Sequence, residues 1–81
     1  MQLIQTEKYH THSRNFDIHI YRDTNKDSLV IEPEETTAGK KEDVSHLKSY
    51  VHMEGNFDLP PEDYPDYPAA LKAVKELLKT L

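Results

Sequence analysis

The sequence predicts a small α+β domain: a three-stranded antiparallel sheet, arranged as a meander, with two helices packed on one face. Three observations predict it. The stretch "NFDIHIYRD" alternates Phe16, Ile18 and Ile20 with Asp17, His19 and Tyr21, the period of a half-buried strand. The end of the chain repeats Leu71, Val74, Leu78 and Leu81 on one helical face, widened by Leu77. Finally, 81 residues make a single domain. A chain this size buries about 60% of its unfolded surface, enough for one thin core and too little for a deep enclosed site.

The elements follow in order. Residues 1–33 carry the strands: "LIQTEKYHT", then the Phe16 strand reached across "SRN", then "SLVIE" after the turn residues "DTNKDS", ended by Pro33. "ETTAGKKED" is a loop. Residues 43–54 are predicted helical, with Asp43 as cap, Val44, Leu47 and Val51 at helical spacing, Tyr50 flanking them and Gly55 as stop. Residues 55–67 form a connector rich in proline, tyrosine and acid, and 68–81 the C-terminal helix, with Pro68 in its first turn where a missing N–H is harmless.

Composition excludes several classes of function. With no cysteine there is neither a disulfide scaffold nor a thiolate metal site, and the expected compartment is the cytoplasm. The opening "MQLIQTEKYH" lacks the basic and apolar regions of a secretory signal, and no apolar run approaches the ~20 residues that span a bilayer. There is no G-x-S-x-G elbow, glycine-rich phosphate loop or H-E-x-x-H pair. Ser45 and His46 are sequence neighbours pointing about 100° apart on a helix, which is not triad geometry. The carboxylates Glu62 and Asp63 sit in a polar segment where nothing suggests the burial that raises a pKa. An enzyme is not expected, nor is a cofactor.

The net charge of −5 is concentrated in the middle of the chain. Residues 1–31 balance four acids against four bases; residues 32–66 hold ten acids and three lysines; the last fifteen residues return +2. Such a field repels nucleic acid and favours basic partners. Lys72, Lys75 and Lys79 form a stripe on the last helix and read as a solvated face.

Two sets of residues are candidates for binding. In "DLPPEDYPDYP" (58–68), the prolines hold the backbone stiff ahead of the helix, so Tyr64 and Tyr67 can serve either as packing for the core edge or as interface anchors. On the second reading a partner-binding surface consists of Asp58, Glu62, Asp63, Tyr64, Asp66 and Tyr67, pre-stiffened and selective for basic surfaces. The expected function is then a non-enzymatic acidic module that inhibits or modulates a larger, basic, nucleic-acid-handling protein, without contacting nucleic acid or membrane itself. In broad type the chain resembles the compact inhibitors that phages and mobile elements direct against bacterial defence, anti-CRISPR and anti-restriction proteins among them, and the acidic immunity proteins and antitoxins that cap nucleases. The likeness is one of size, charge and missing motifs.

The alternative is a small divalent-metal domain. If the first hairpin turns on Arg14 and Asn15, His10 lies opposite His19 and His12 opposite Asp17. These four residues then form a ligand set for zinc, nickel or copper. A three-residue loop reverses the parity and dissolves the set. An accessory subunit whose acidity is only solubilising is a third reading, and "SLVIE", as an edge strand, could pair with its own copy in a homodimer.

Overall fold

In the computed structural model, which describes all 81 residues, four strands form one antiparallel sheet in sequence order: β1 (Gln2–His10), β2 (Asn15–Asp23), β3 (Ser28–Glu35) and β4 (Ser49–His52). One helix, α1 (Tyr67–Lys79), covers one face. The α+β class and the meander hold. The sheet has four strands where three were predicted, and the domain has one α-helix where two were predicted.

The predicted helix over 43–54 is instead a single 3-10 turn at Ser45–Leu47 followed by β4. The spacing of Val44, Leu47 and Val51 suits both arrangements. What decides between them is the sheet: β4 pairs with Ser28–Ile31 of β3 and sends Val51 into the core while Tyr50 and His52 face out. β-branched and aromatic residues favour that half-buried setting. Asp43, expected as a helix cap, instead makes an Asx turn just before the 3-10 turn, whose cap position is Val44, accepting from the Ser45 amide (3.0 Å) and hydroxyl (2.7 Å). Gly55 ends a strand, not a helix, in a tight turn where both Glu54 (φ 54°) and Gly55 (φ 75°) are left-handed. The Asp27 carboxylate accepts from the Gly55 amide (2.9 Å), and its carbonyl from the Met53 amide (2.9 Å), locking that turn onto the β2–β3 turn.

Pro33 does not end β3, which continues to Glu35. It pairs with Ile18 beyond the last β3–β4 pair, where the strand has one neighbour only and proline is tolerated. The "SLVIE" segment is consequently not an edge. Its first four residues are paired on both sides, and the sheet edges are β1 and β4.

The core lies between the sheet and α1. Phe16, Ile18 and Ile20 of β2, Leu29 and Ile31 of β3 and Val51 of β4 meet Tyr67, Val74 and Leu78 of α1, closed off by Val44, Met53 and Tyr64. Leu71 packs against this cluster, whereas Leu77 and Leu81 are exposed. Over β1, α1 is held by Lys75, which pairs with Glu7 and lies 5.4 Å from the Tyr9 ring centroid. The opposite sheet face is uncovered and carries a cross-strand row of Leu3, Tyr21, Val30 and Tyr50.

A buried ion pair ties the two ends of the first three strands together. Arg14 donates through Nε (2.8 Å) and a terminal nitrogen (2.7 Å) to the two carboxylate oxygens of Glu35, and meets Glu42 at 3.2 Å. Arg14 is 8% exposed and Glu35 is 3% exposed. The Glu35 carboxylate also accepts from the Glu42 amide at 3.2 Å. The Arg14 guanidinium, bonded to it directly, holds Glu35 well below its ordinary value of 4.5, at about 2. A depressed carboxylate pKa contributes stability above the unfolded value that is lost as pH falls through the folded one. The melting temperature is therefore expected to hold from neutrality to about pH 5 and to fall between about pH 4.5 and 2. Glu35→Gln should lower it at pH 7 and flatten that acid limb; thermal melts over the pH series check both.

Candidate interaction surface

Residues 54–66 form a lobe beyond the end of β4, and its backbone is organised by Arg22. This side chain leaves β2 on the core side. It donates to the carbonyl of Phe57, to that of Leu59 (2.9 Å) and to the Tyr64 hydroxyl (3.3 Å). Tyr64 in turn donates to the Asn56 carbonyl. One guanidinium thereby collects three oxygens from a segment with no regular hydrogen-bonding pattern of its own, a use for which the planar fork of arginine is suited and lysine is not. Pro61–Asp63 makes a 3-10 turn, so the segment bends where an extended lead-in was expected.

The tyrosines face inward. Tyr64 is 3% exposed and Tyr67 is 5% exposed, both inside the core cluster. Burial, with the nearby Glu7 charge behind it, pushes the Tyr67 phenol up, and its hydroxyl meets Gln5 Nε2 at 3.3 Å. Neither ring is available as an interface anchor. The stiff segment threads them into the core as its structural reading requires.

What the lobe presents outward is charge. Asp58, Glu62, Asp63 and Asp66 are all exposed, and the structure adds Glu54 to them. None of the five takes part in an ion pair, whereas six of the other ten acids pair with lysine or arginine and two more, Asp27 and Glu34, meet a histidine. Asp66 stands at the start of α1 without a side-chain capping hydrogen bond. Among these carboxylates lies Phe57, 36% exposed. Sequence reasoning passed over Glu54 and Phe57. Glu54 fell inside the predicted helix, and Phe57 belongs to no hydrophobic period. An aromatic residue directly following "GN" and preceding the acidic run was the available signal.

The histidine set assembles differently from expectation. The β1–β2 loop is Thr11–Arg14, and His10 pairs with Asn15. A four-residue loop keeps the parity of a two-residue one, so His10, Asp17 and His19 do share the open sheet face. The register is displaced, however. His19 lies opposite Thr6, and Lys8 lies opposite Asp17. His10 Nδ1 is engaged with Asn15 Oδ1 at 2.6 Å, and His12 is exposed in the loop. In this register Arg14 is the last residue of the loop and turns inward to Glu35. What Asp17 and His19 do meet is Glu34, with one ligand atom of each within 4.8 Å of the others. Lys75 and Lys79 of the helical stripe are paired with Glu7 and Glu76.

No family model, curated protein or solved structure matches this chain. No helix is long and apolar enough to cross a membrane.

The dependence of the lobe on Arg22 is open to direct test. Arg22→Ala removes the bonds to the partly buried Leu59 carbonyl and Tyr64 hydroxyl and to the exposed Phe57 carbonyl, and should cost about 1–3 kcal/mol. Arg22→Lys should recover only part of this, because one ammonium cannot span the same three oxygens. Amide hydrogen exchange should quicken over residues 56–64 in both variants while β2 and β3 stay protected.

Proposed function

We propose that this chain is a protein-binding module that engages a basic surface through the lobe at residues 54–66. The observation that carries this reading is the set of five exposed carboxylates without ion-pair partners within residues 54–66, a segment that also exposes Phe57 and whose backbone is already ordered. Elsewhere on the molecule most acids are neutralised internally, so the unbalanced charge is local to one lobe. Unpaired carboxylates steer a basic partner and speed its encounter. An ordered backbone loses little entropy on binding. Phe57, a partly exposed aromatic side chain in the same segment, has the makings of an anchor.

Proteins that handle nucleic acid present basic surfaces of this kind, and carboxylates can occupy positions that otherwise take phosphates. The reading is therefore of an inhibitor or modulator of such a protein, not an enzyme. The type is that of the compact acidic inhibitors of phages and mobile elements, including anti-CRISPR and anti-restriction proteins, and of immunity proteins and antitoxins. The same negative field disfavours direct contact with nucleic acid.

The test is capture of partners from a lysate of the source organism with tagged wild type, with Glu62→Lys/Asp63→Lys/Asp66→Lys, and with Phe57→Ala, each at low and high salt. Wild type should retain a basic protein that is lost at high salt and lost in the triple variant, with Phe57→Ala weakened. The triple variant should melt within a few degrees of wild type, because exposed charges contribute little to stability and no capping bond is removed. A partner retained equally by all three proteins would place binding elsewhere on the molecule.

A further inference from the structure

We propose that Asp17, His19 and Glu34 form a binding site for a divalent cation of the zinc type on the sheet face away from α1. Asp17 and Glu34 are cross-strand partners in β2 and β3, and His19 follows Asp17 by two residues on the same face. The sheet backbone, not a loop, fixes where all three side chains start. Ligand atoms of the three lie within 4.8 Å of one another. A zinc ion with bonds of about 2.1 Å holds tetrahedral ligands about 3.4 Å apart. Closing that difference requires only a rotamer adjustment at Glu34, whose side chain is 63% exposed.

The imidazole is already oriented for the purpose. Thr6, opposite His19 on β1, meets Nδ1 at 2.9 Å, which leaves Nε2 directed at Glu34 Oε1 at 2.8 Å. Metal-bound histidines commonly have their second nitrogen held by an oxygen in this manner. Without metal, Nε2–H donates to Glu34 and Nδ1 accepts from the Thr6 hydroxyl. With metal on Nε2, Nδ1 would carry the ring proton and donate it to Thr6 Oγ1.

Two carboxylates neutralise a dication, and the imidazole nitrogen selects zinc-type ions over magnesium or calcium. Three protein ligands leave coordination positions for water. The opposing feature is Lys8, 3.0 Å from Asp17 Oδ1. Its side chain is 75% exposed and can turn into water when the cation takes its place. Glu32, opposite His19 and 3.8 Å from Lys48, adds a further negative charge beside the site.

The experiment titrates zinc chloride into the full chain, read by calorimetry and by the ring-nitrogen NMR signals of His19. Expected are one zinc per chain at micromolar affinity, a metal-induced shift at Nε2, and a rise in melting temperature that chelator reverses. His19→Ala and Glu34→Gln should each weaken binding at least tenfold, while His10→Ala and His12→Ala should leave it unchanged. Glu34→Gln alters an exposed residue, so its fold is expected to be intact, and a matching amide spectrum verifies this. Absence of saturable binding below millimolar zinc overturns the proposal. So does wild-type affinity in both the His19 and Glu34 variants.

Discussion

The structure turns on a guanidinium taken out of water. Arg14 is drawn from the tip of the first hairpin into a two-pronged bond with Glu35 at the end of β3, with Glu42 closing over it. A buried charge of either sign alone is costly, so each member of the pair depends on the other, and removing one leaves the other stranded. The geometric consequence reaches further than the local stability. With Arg14 inside, the hairpin needs a four-residue loop, and the loop length sets which residues of β1 face which residues of β2. Opposing Thr6 to His19 and Lys8 to Asp17 follows from that. So does the place of the 36–43 loop, since the Glu42 amide and the Thr36 amide both bond back to the same region.

Arg22 repeats the device at the other end of the molecule, with carbonyl oxygens in place of a carboxylate. These are the only two arginines in the chain. Both act as forks that gather several oxygens, Arg14 from the Glu35 and Glu42 carboxylates and Arg22 from two carbonyls and a phenol, while the eight lysines serve as point charges at or near the surface. The division of labour suits a domain with one thin core. Its sheet and helix are held by apolar burial, whereas the loop, which buries little, and the lobe, which buries Pro61 and Tyr64, are each also fastened by one arginine.

Legibility in the sequence follows the same division. β2 was readable because both faces of the sheet are written in it, and α1 because Leu71, Val74 and Leu78 keep a helical period against one flat surface. β4 was not readable because four residues are too few to distinguish alternation from the spacing of Val44, Leu47 and Val51. Only the need of β3 for a neighbour resolves it. The inward turn of Arg14 has no local signature: "SRN" is good turn chemistry, and Glu35 lies 21 residues away. The histidine set went astray for that reason, right in face and wrong in register. Of the candidate interface, the carboxylates were legible as charge, but which tyrosines face inward depends on a packing partner the local sequence does not contain.

The structural and binding readings of residues 58–68 prove to be one arrangement seen from two sides. Tyr64 and Tyr67 are inside the core, and their burial is what holds the intervening backbone in place. Carboxylates on that backbone cannot scatter to relieve their mutual repulsion, as they would on a flexible tail. The five acids of the lobe have no ion-pair partner, and the half-buried Arg22 is the cation bonded to the backbone that carries them. A net charge held this way slightly opposes the compact state and is tolerated because the core beneath supplies the difference. A basic surface brought against the lobe would meet unpaired carboxylates on a backbone that needs no further ordering. The binding proposed for the lobe thus starts from a backbone already ordered, in part by the same tyrosines that the sequence offered as contact residues.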